Sequence, residues 1–383
     1  MTSRPRLVTV DHLWSGRWAG RTVLRLDAHG VAPAGREEAR GAVAHLLPHL
    51  PGTVLAPFTD SHVHLGLVDA AQLPAGGISR VVDLGWDPAV AATWLAPTDE
   101  GPEVRIAGGL LAAPGGYPAR ASWAPARATL AVRGLTASGR ARRARTLVQR
   151  MHDLGATIVK VTLNADVGPV LDDAALRAVV DAAHDVGLPV TAHVQGVGQA
   201  ARALAAGVDQ FAHAPFSERL DDDLVAALAA ATTWVSTLAI HDGATHETAF
   251  DNVARFRAAG GRVLYGTDLG NGDQRIGVSE PELRALGRAG LGLAALLGAL
   301  APDAVHGGAP AAPTAALEEA DATTLRLPDR RVTWIPSAPG ASGSPDERAA
   351  WLASARAVTA DELAALAGPP VPHPTSDRPQ EAP

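Results

Sequence analysis

The sequence contains no cysteine, and this absence removes several kinds of chemistry at once. A chain without thiols has no disulfide bonds, no cysteine nucleophile and no thiolate ligand for zinc. A metal site would have to be built from histidine, carboxylates or a less usual ligand. The sequence also lacks any run of about 18 apolar residues, the length that a membrane-spanning helix needs, and any N-terminal apolar stretch suited to a signal peptide. We therefore expect a cytoplasmic protein.

Positive charge is in slight deficit, with 33 Lys and Arg residues against 40 Asp and Glu and a formal net charge of −7. This balance provides no basic field that would attract nucleic acid or an anionic membrane. It favours a small-molecule partner, and it is compatible with a homo-oligomer. A hydrophobic content of 47%, with 39 Gly and 29 Pro, is typical of a compact, loop-rich globular chain.

Lysine is almost absent as well, because 32 of the 33 basic residues are arginine and Lys160 alone is lysine. Lys160 stands in the strand-like segment ATIVKVTL rather than in a polar surface segment. Guanidinium is permanently charged, whereas a buried lysine amine can lose its proton and act as a nucleophile or react with carbon dioxide. Lys160 is therefore a candidate for a task that arginine cannot perform.

The order of apolar segments predicts an α/β protein with a parallel (β/α)8 TIM barrel over residues 57–305. Ala-rich helical stretches, among them 138–155 and 172–187, separate eight strand candidates. These are VLAPFTDSHVHL, ISRVVDLG, VRIAGGL, ATIVKVTL, LPVTAHV, DQFAHA, TWVSTLAI and RVLYGTD.

The two ends of the chain predict a small β-rich satellite domain. Residues 1–56 contain short apolar strand segments such as RLVTV and TVLRL, and residues 306–340 offer two further strands that return to that domain. Residues 341–383 predict a helix that begins at the capping box Ser344–Glu347 and a disordered Pro-rich tail. Between barrel strands three and four, residues 112–137 predict a long loop that covers the substrate.

His62 and His64 stand two positions apart in the first barrel strand segment. Alternate residues of a strand point to the same side, so both imidazoles face one way and could bind a metal ion. An isolated pair of this kind is as often a hydrogen-bonded core or surface feature. Further candidates lie at the carboxyl ends of other predicted strands, the face where barrel enzymes gather their catalytic groups. They are Lys160, His193, His213 and Asp268.

These segments resemble the amidohydrolase superfamily, and within it the imidazolonepropionase-like and prolidase-like members. The resemblance covers residues 54–290 and rests on PFTDSHVHL, VKVT, TAHVQG, FAHAPF and GTDLGN. It implies that His62 and His64 bind the more buried metal and that Lys160 is carboxylated and bridges two metals. It further implies that His193 and His213 bind the second metal, and that Asp268 binds the first metal and acts as general base.

The function expected from this resemblance is metal-dependent hydrolysis of an amide, cyclic amide or lactone. A metal-bound hydroxide would attack the carbonyl, and Asp268 would carry the proton to the leaving group. Imidazole and carboxylate ligands suit one or two Zn2+ ions best, with Mn2+, Co2+ or Fe2+ as alternatives.

Two other functions stay open at this point. One is a mononuclear deaminase or imidazolonepropionase-like ring hydrolase, with His213 as a substrate contact; Gln195 stands near the place where such deaminases usually carry Glu. The prolidase-like members usually have a second His at the position of Gln195. The other is a non-catalytic barrel that serves as a binding protein. The candidate substrate-binding residues are Tyr117, Gln195, His241 and Arg275.

Overall fold

The computed structural model describes residues 6–41, 44–306, 330–340 and 343–370. The chain divides into two compact units. Among the described residues, the smaller unit comprises 6–41, 44–56, 330–339 and 358–370, and the larger unit comprises 57–306, 340 and 343–357.

The secondary structure of these residues is mixed. Its strands are β1 (Arg6–Trp14), β2 (Trp18–Ala19), β3 (Thr22–Asp27), β4 (Gly30–Pro33), β5 (His49–Leu55), β6 (Thr59–Val63), β7 (Arg80–Asp83), β8 (Glu103–Ile106), β9 (Leu110–Ala112), β10 (Thr129–Ala131), β11 (Val159–Asn164), β12 (Val190–Gln195), β13 (Gln210–Phe211), β14 (Thr233–Val235), β15 (Arg262–Leu264), β16 (Arg331–Ile335) and β17 (Arg356–Thr359).

The α-helices are α1 (Arg36–Gly41), α2 (Pro88–Ala91), α3 (Ala137–Asp153), α4 (Asp173–Asp185), α5 (Gln199–Ala206), α6 (Asp222–Ala231), α7 (Gly243–Ala258), α8 (Glu280–Arg288), α9 (Leu293–Leu300), α10 (Pro302–His306), α11 (Pro345–Ala353) and α12 (Ala360–Leu366). Short 3-10 turns occur at Ala44–Leu46, Leu65–Leu67, Ala70–Gln72, Ala92–Leu95 and Leu238–Ile240. No helix of the described residues is long and apolar enough to cross a bilayer.

The smaller unit is built on a mixed sheet in which β16, β5, β1, β3 and β4 follow one another. β1 pairs antiparallel with β3 and parallel with β5, and β16 pairs antiparallel with β5. Successive side chains of a strand point to opposite faces of the sheet. In β3, Leu24 and Leu26 are accordingly fully buried, while Arg25 between them is not. The predicted strands RLVTV and TVLRL are therefore present, as parts of β1 and β3.

In the larger unit, each of the eight predicted strand segments contains a strand, and all of its strand pairings are parallel. One sheet has the order β6-β7-β8 and the other β10-β9-β11-β12-β13-β14-β15. Backbone hydrogen bonds join the two sheets on both sides. The amide of Thr157 donates to the carbonyl of Ile106 at 3.0 Å, and that of Ser61 donates to Tyr265 at 3.0 Å. Because helices alternate with these strands, β6 and β11 are buried along their whole length.

Short polar side chains fix the first turns of the helices that follow these strands. Thr136, Asp172 and Asp221 each accept a hydrogen bond from a backbone amide in the first turn of α3, α4 and α6. The predicted helices over 138–155 and 172–187 correspond to α3 and α4, with ends that differ by at most two residues. The mixed α/β class with parallel sheets is thereby confirmed.

Three elements differ from the sequence-based expectation. The loop predicted over 112–137 contains strand β10, held beside β9 by hydrogen bonds from Leu110 to Ala128 and from Val132 to Ala112. The helix predicted at Ser344 is present with its capping box, but β17 and α12 follow it, and α12 has a second capping box at Thr359. Most of the segment 306–340, predicted to supply two strands to the satellite domain, lies outside the described residues, as does the predicted tail after residue 370.

Candidate metal centre

The carboxyl ends of the parallel strands bring all six predicted ligands to one cavity. His62 lies on β6 and His64 directly after it, Lys160 lies on β11 and His193 on β12, and the other two follow β13 and β15. All six side chains are buried and line a cavity of about 80 Å³. That volume is several times the roughly 10–15 Å³ that one water molecule requires. The six are His62, His64, Lys160, His193, His213 and Asp268.

The two histidines of the first strand point their Nε2 atoms at one carboxylate oxygen. Oδ1 of Asp268 lies 3.1 Å from Nε2 of His62 and 3.2 Å from Nε2 of His64. Nδ1 of His62 donates to the carbonyl of Ala212 at 2.7 Å, and Nδ1 of His64 donates to that of Gly85 at 3.0 Å. Because a carbonyl oxygen only accepts, Nδ1 of each ring carries a proton. Burial lowers the pKa of His62 well below 6.5, so its ring is neutral and presents a bare Nε2 lone pair to the carboxylate.

This convergence of acceptors fits a cation. Within the described part of the chain, neither Nε2 of His62 nor Oδ1 of Asp268 has a hydrogen-bond partner, although both atoms are buried. Acceptors forced together in a buried place are unfavourable unless a positive charge lies between them. One potential ligand atom from each of His62, His213 and Asp268 lies within 4.8 Å of the others. The residues present are therefore suited to a divalent metal ion.

Burial keeps the imidazoles in the form that binds metals. It lowers the pKa of His193 to about 4, and it lowers the pKa values of His62 and His213 well below 6.5. Neutral imidazole is the ligand form, so none of these three rings has to lose a proton at pH 7 before it coordinates.

Lys160 is 2% exposed, and its burial lowers the pKa of the amine from 10.5 to about 7. The negative charges of Asp268 and Asp83 oppose this shift without cancelling it. A substantial share of the amine is therefore neutral at pH 7, and the neutral amine is the form that reacts with carbon dioxide. Among the described residues, Lys160 is the one Lys or Arg side chain that lines the cavity.

A buried acid that sequence reasoning missed holds two of the predicted ligands in place. Asp60 accepts from the amide of His62 at 3.1 Å and from the amide and hydroxyl of Thr267 at 3.1 and 2.6 Å. It thus ties the strand of His62 to the turn that carries Asp268. Asp268 itself has φ 55°, in the left-handed region, and Nδ2 of Asn271 donates to its Oδ2 at 3.0 Å. The sequence signal that could have identified Asp60 is its position two residues before His62 in the same strand segment, where alternate residues are expected on one face.

The four predicted substrate-binding residues separate into two groups. Tyr117 and His241 line the cavity, and the ring of Tyr117 stacks on His193 with centroids 5.1 Å apart. Gln195 does not line it, and Arg275 is exposed and does not line it either. Sequence reasoning missed several other lining residues, two of which lie on strands β9 and β11, one in a 3-10 turn and two in loops. These are Leu110, Thr162, Phe216, Ile240 and Asn271.

Gln195 instead contacts a predicted ligand. Its Oε1 lies 3.1 Å from Nε2 of His193 and also accepts from Asn164 at 2.7 Å, while its Nε2 donates to Asp166 at 3.3 Å. The contact to Asp166 fixes the orientation of the amide, so Oε1 is the atom that faces the histidine. His193 therefore carries its proton on Nε2 and leaves Nδ1 as the atom able to coordinate.

We expect Gln195→Leu to weaken zinc binding about 10- to 100-fold, the usual cost of losing a hydrogen-bond acceptor behind a histidine ligand. Gln195→Glu keeps an acceptor oxygen beside His193, so its zinc affinity should fall less than that of the leucine variant. Competition against a fluorescent zinc chelator measures both affinities. Equal zinc affinities of the leucine variant and the wild type would show that Gln195 does not orient His193.

No protein-family model matches the chain, and no curated protein matches it in sequence. Solved structures do match. An Xaa-Pro dipeptidase with methionine bound in its active site has 17% identity and a TM-score of 0.66, with coverage of 94% of this chain and 99% of that chain. A. niger ochratoxinase has 16% identity and a TM-score of 0.68, with coverage of 94% of this chain and 95% of that chain. An amidohydrolase of known structure has 17% identity and a TM-score of 0.63, with coverage of 92% of this chain and 98% of that chain.

The chain has the amidohydrolase fold. At identities below one fifth, the matches establish similarity of fold, and the resemblance inferred from the sequence is confirmed at that level. The matches cover more than nine tenths of each chain, so the amidohydrolase fold accounts for nearly the whole length of this protein.

Proposed function

We propose that this protein is a metal-dependent hydrolase of amide bonds, with cyclic amides and lactones as related substrates. The observation that carries the proposal is the meeting of His62 Nε2 and His64 Nε2 at Oδ1 of Asp268, in a buried cavity that also contains the single lysine. The amidohydrolase fold supports it, since the neighbours of that fold are named as a dipeptidase, an ochratoxinase and an amidohydrolase.

The proposal includes a closed (β/α)8 barrel over residues 57–305, with a satellite domain from residues 1–56 and 306–340. The hydrogen bonds from Thr157 to Ile106 and from Ser61 to Tyr265 support closure, because they connect the edges of the two parallel sheets. A closed barrel places the carboxyl ends of all its strands around one opening, and it thereby explains why ligands from distant segments meet.

We assign His62, His64 and Asp268 to one metal ion and His193 and His213 to a second. Lys160 would bridge the two as a carbamate. Its neutral amine attacks the carbon of carbon dioxide, a C–N bond forms, and one proton is released to solvent. One C–O π bond of carbon dioxide breaks in that step, and the product carries one negative charge shared by two oxygens. This charge would offset part of the positive charge of two cations at a place where the described residues offer only Asp268 as a carboxylate ligand.

Zinc bound by these residues would polarise the scissile carbonyl and lower the pKa of water to about 7. The protein supplies the groups that hold and move the proton. Asp268 would take the proton of the attacking water and return it to the leaving nitrogen. Asn271 binds its Oδ2, so the carboxylate keeps one orientation while Oδ1 faces the histidines.

One observation favours a second candidate, a mononuclear hydrolase or deaminase. Among the described residues, the compact group with metal-ligand spacing is His62, His213 and Asp268, which is sufficient for one ion. In that case Lys160 would be a positioning residue, and its replacement would leave the metal content unchanged.

Zinc should stabilise the folded chain, because the cluster of buried acceptors exists only when the strands are assembled. At a zinc concentration about 100 times Kd, binding contributes about 2.7 kcal/mol, which corresponds to an increase in Tm of several degrees. Differential scanning fluorimetry with EDTA and with added zinc tests this expectation. The matched control is His62→Ala, for which the difference should largely disappear. A wild-type Tm that zinc leaves unchanged would contradict the metal site.

A further inference from the structure

Two pairs of rings adjoin the ligand cluster. Trp123 lies with its ring centroid 4.6 Å from that of His64, and it is 6.3 Å from Tyr117, which stacks on His193. Phe216 lies 4.4 Å from His241 and 6.2 Å from His213. A chain with only 4% aromatic residues thus places three of its aromatic side chains around this one cavity. Rings in this arrangement offer flat apolar surface to a bound molecule.

The remainder of the lining is uncharged. Apart from Lys160, Asp268 and the imidazole ligands, the described lining residues are apolar, aromatic or neutral polar side chains. Burial lowers the pKa of His241 to about 4, so this imidazole is neutral at pH 7. A substrate carboxylate held in this part of the cavity, away from the metal ligands, would lose its hydration without gaining a cationic side chain as partner there.

One polar atom in this lining has its hydrogen-bonding capacity unused. Nε2 of His241 is buried and has no hydrogen-bond partner among the described residues. A neutral imidazole carries one donor and one acceptor, so this atom can bind either an amide N–H or a carbonyl oxygen, depending on the tautomer. Binding pockets commonly combine apolar walls with a few such polar groups, which fix the orientation of the ligand.

We propose that the substrate is an uncharged amide with an aromatic or apolar substituent, packed against Trp123, Tyr117 or Phe216 and hydrogen-bonded by His241. This inference rests on the proposed function and adds the substrate class to it. The proposed substrate differs from a free dipeptide, the kind of substrate that the name of the Xaa-Pro dipeptidase describes. A free dipeptide carries both an ammonium and a carboxylate group, whereas the proposed amide carries no charge.

Hydroxamates test the proposal without requiring turnover, because the hydroxamate group chelates zinc whatever its substituent. Isothermal titration of the zinc-loaded full chain would compare acetohydroxamate, phenylacetohydroxamate and phenylacetohydroxamates that carry a 4-carbamoyl or a 4-carboxylate group. We expect the phenyl group to improve Kd at least tenfold over acetohydroxamate. The carboxylate should bind at least tenfold more weakly than the carbamoyl compound of nearly equal shape.

Variants assign these differences to residues. Trp123→Ala and Phe216→Ala should reduce the ratio between the affinities for phenylacetohydroxamate and acetohydroxamate, and His241→Phe should remove the advantage of the carbamoyl group. Arg275→Ala, at an exposed position outside the lining, is the matched control and should change neither ratio.

Each failure has a separate meaning. If acetohydroxamate itself does not bind, the metal site and the proposed function are wrong, and this inference falls with them. If acetohydroxamate binds but the phenyl group adds nothing, or the carboxylate binds as well as the carbamoyl compound, the metal site stands and the neutral aromatic substrate class is wrong. Binding of the carboxylate that disappears in Arg275→Ala would assign substrate recognition to Arg275 instead.

Discussion

Asp268→Asn should lower kcat for a neutral aryl amide such as phenylacetanilide by about 10²- to 10⁴-fold, the usual contribution of a general acid–base group. The amide side chain keeps the size of the carboxylate and one oxygen near His62 and His64, but it cannot accept the proton of the attacking water. Stopped or continuous assay of released aniline gives kcat, and elemental analysis of the same samples gives their zinc content.

The result for Asp268→Asn is interpreted from kcat and zinc content together. A large loss of kcat with zinc retained indicates a proton-transfer role, whereas loss of both indicates that Asp268 is chiefly a ligand. Asn271→Ala is a graded comparison, because it removes only the hydrogen bond to Oδ2 and should reduce kcat much less. An Asp268→Asn enzyme that keeps kcat within a few-fold of the wild type would refute the assigned role.

Lys160→Ala should lose at least one of the two proposed metal ions and nearly all turnover. Without the amine, no carbamate forms, and the charge of the second cation has no bridging anion to balance it. Added acetate should restore part of the zinc content and part of the rate, because a free carboxylate can occupy the volume that the shortened side chain leaves. Elemental analysis and the aniline assay, each with and without acetate, measure both effects.

Lys160→Arg separates a carbamate from a simple positive charge. Arginine keeps the charge but cannot react with carbon dioxide, so this variant should resemble the alanine variant and should not respond to acetate. An arginine variant with full zinc content and full rate would exclude the carbamate. An alanine variant that keeps its zinc but loses rate would support the mononuclear alternative.

The meeting of the six candidate ligands at one cavity could be predicted from the sequence because of how parallel strands are arranged. In that architecture, the carboxyl end of every strand lies at one face, so a histidine or aspartate at each strand end is enough to predict a meeting place. His62, Lys160 and Asp268 are about 100 residues apart in the chain, yet they line one cavity. Their roles in coordination stay predictions, since placement alone does not establish which atoms bind a metal.

The surroundings of these ligands could not be predicted in the same way. Phe216 and Asn271 lie in loops, where no periodicity determines the direction of a side chain. Gln195 follows His193 by two residues and was interpreted as a substrate contact, but the hydrogen bonds to Asn164 and Asp166 turn it towards the histidine. Arg275 lies seven residues after Asp268, and its loop leaves it exposed. Such outcomes depend on tertiary packing rather than on local sequence.

The number of metal ions per chain tests the central claim most directly. Elemental analysis of the full chain, prepared with zinc and bicarbonate and freed of loosely bound ions, should give close to two zinc ions per chain. A value close to one at saturation would contradict the bridged pair and the carbamate on Lys160. A value close to zero would contradict the metal centre and, with it, the proposed hydrolase.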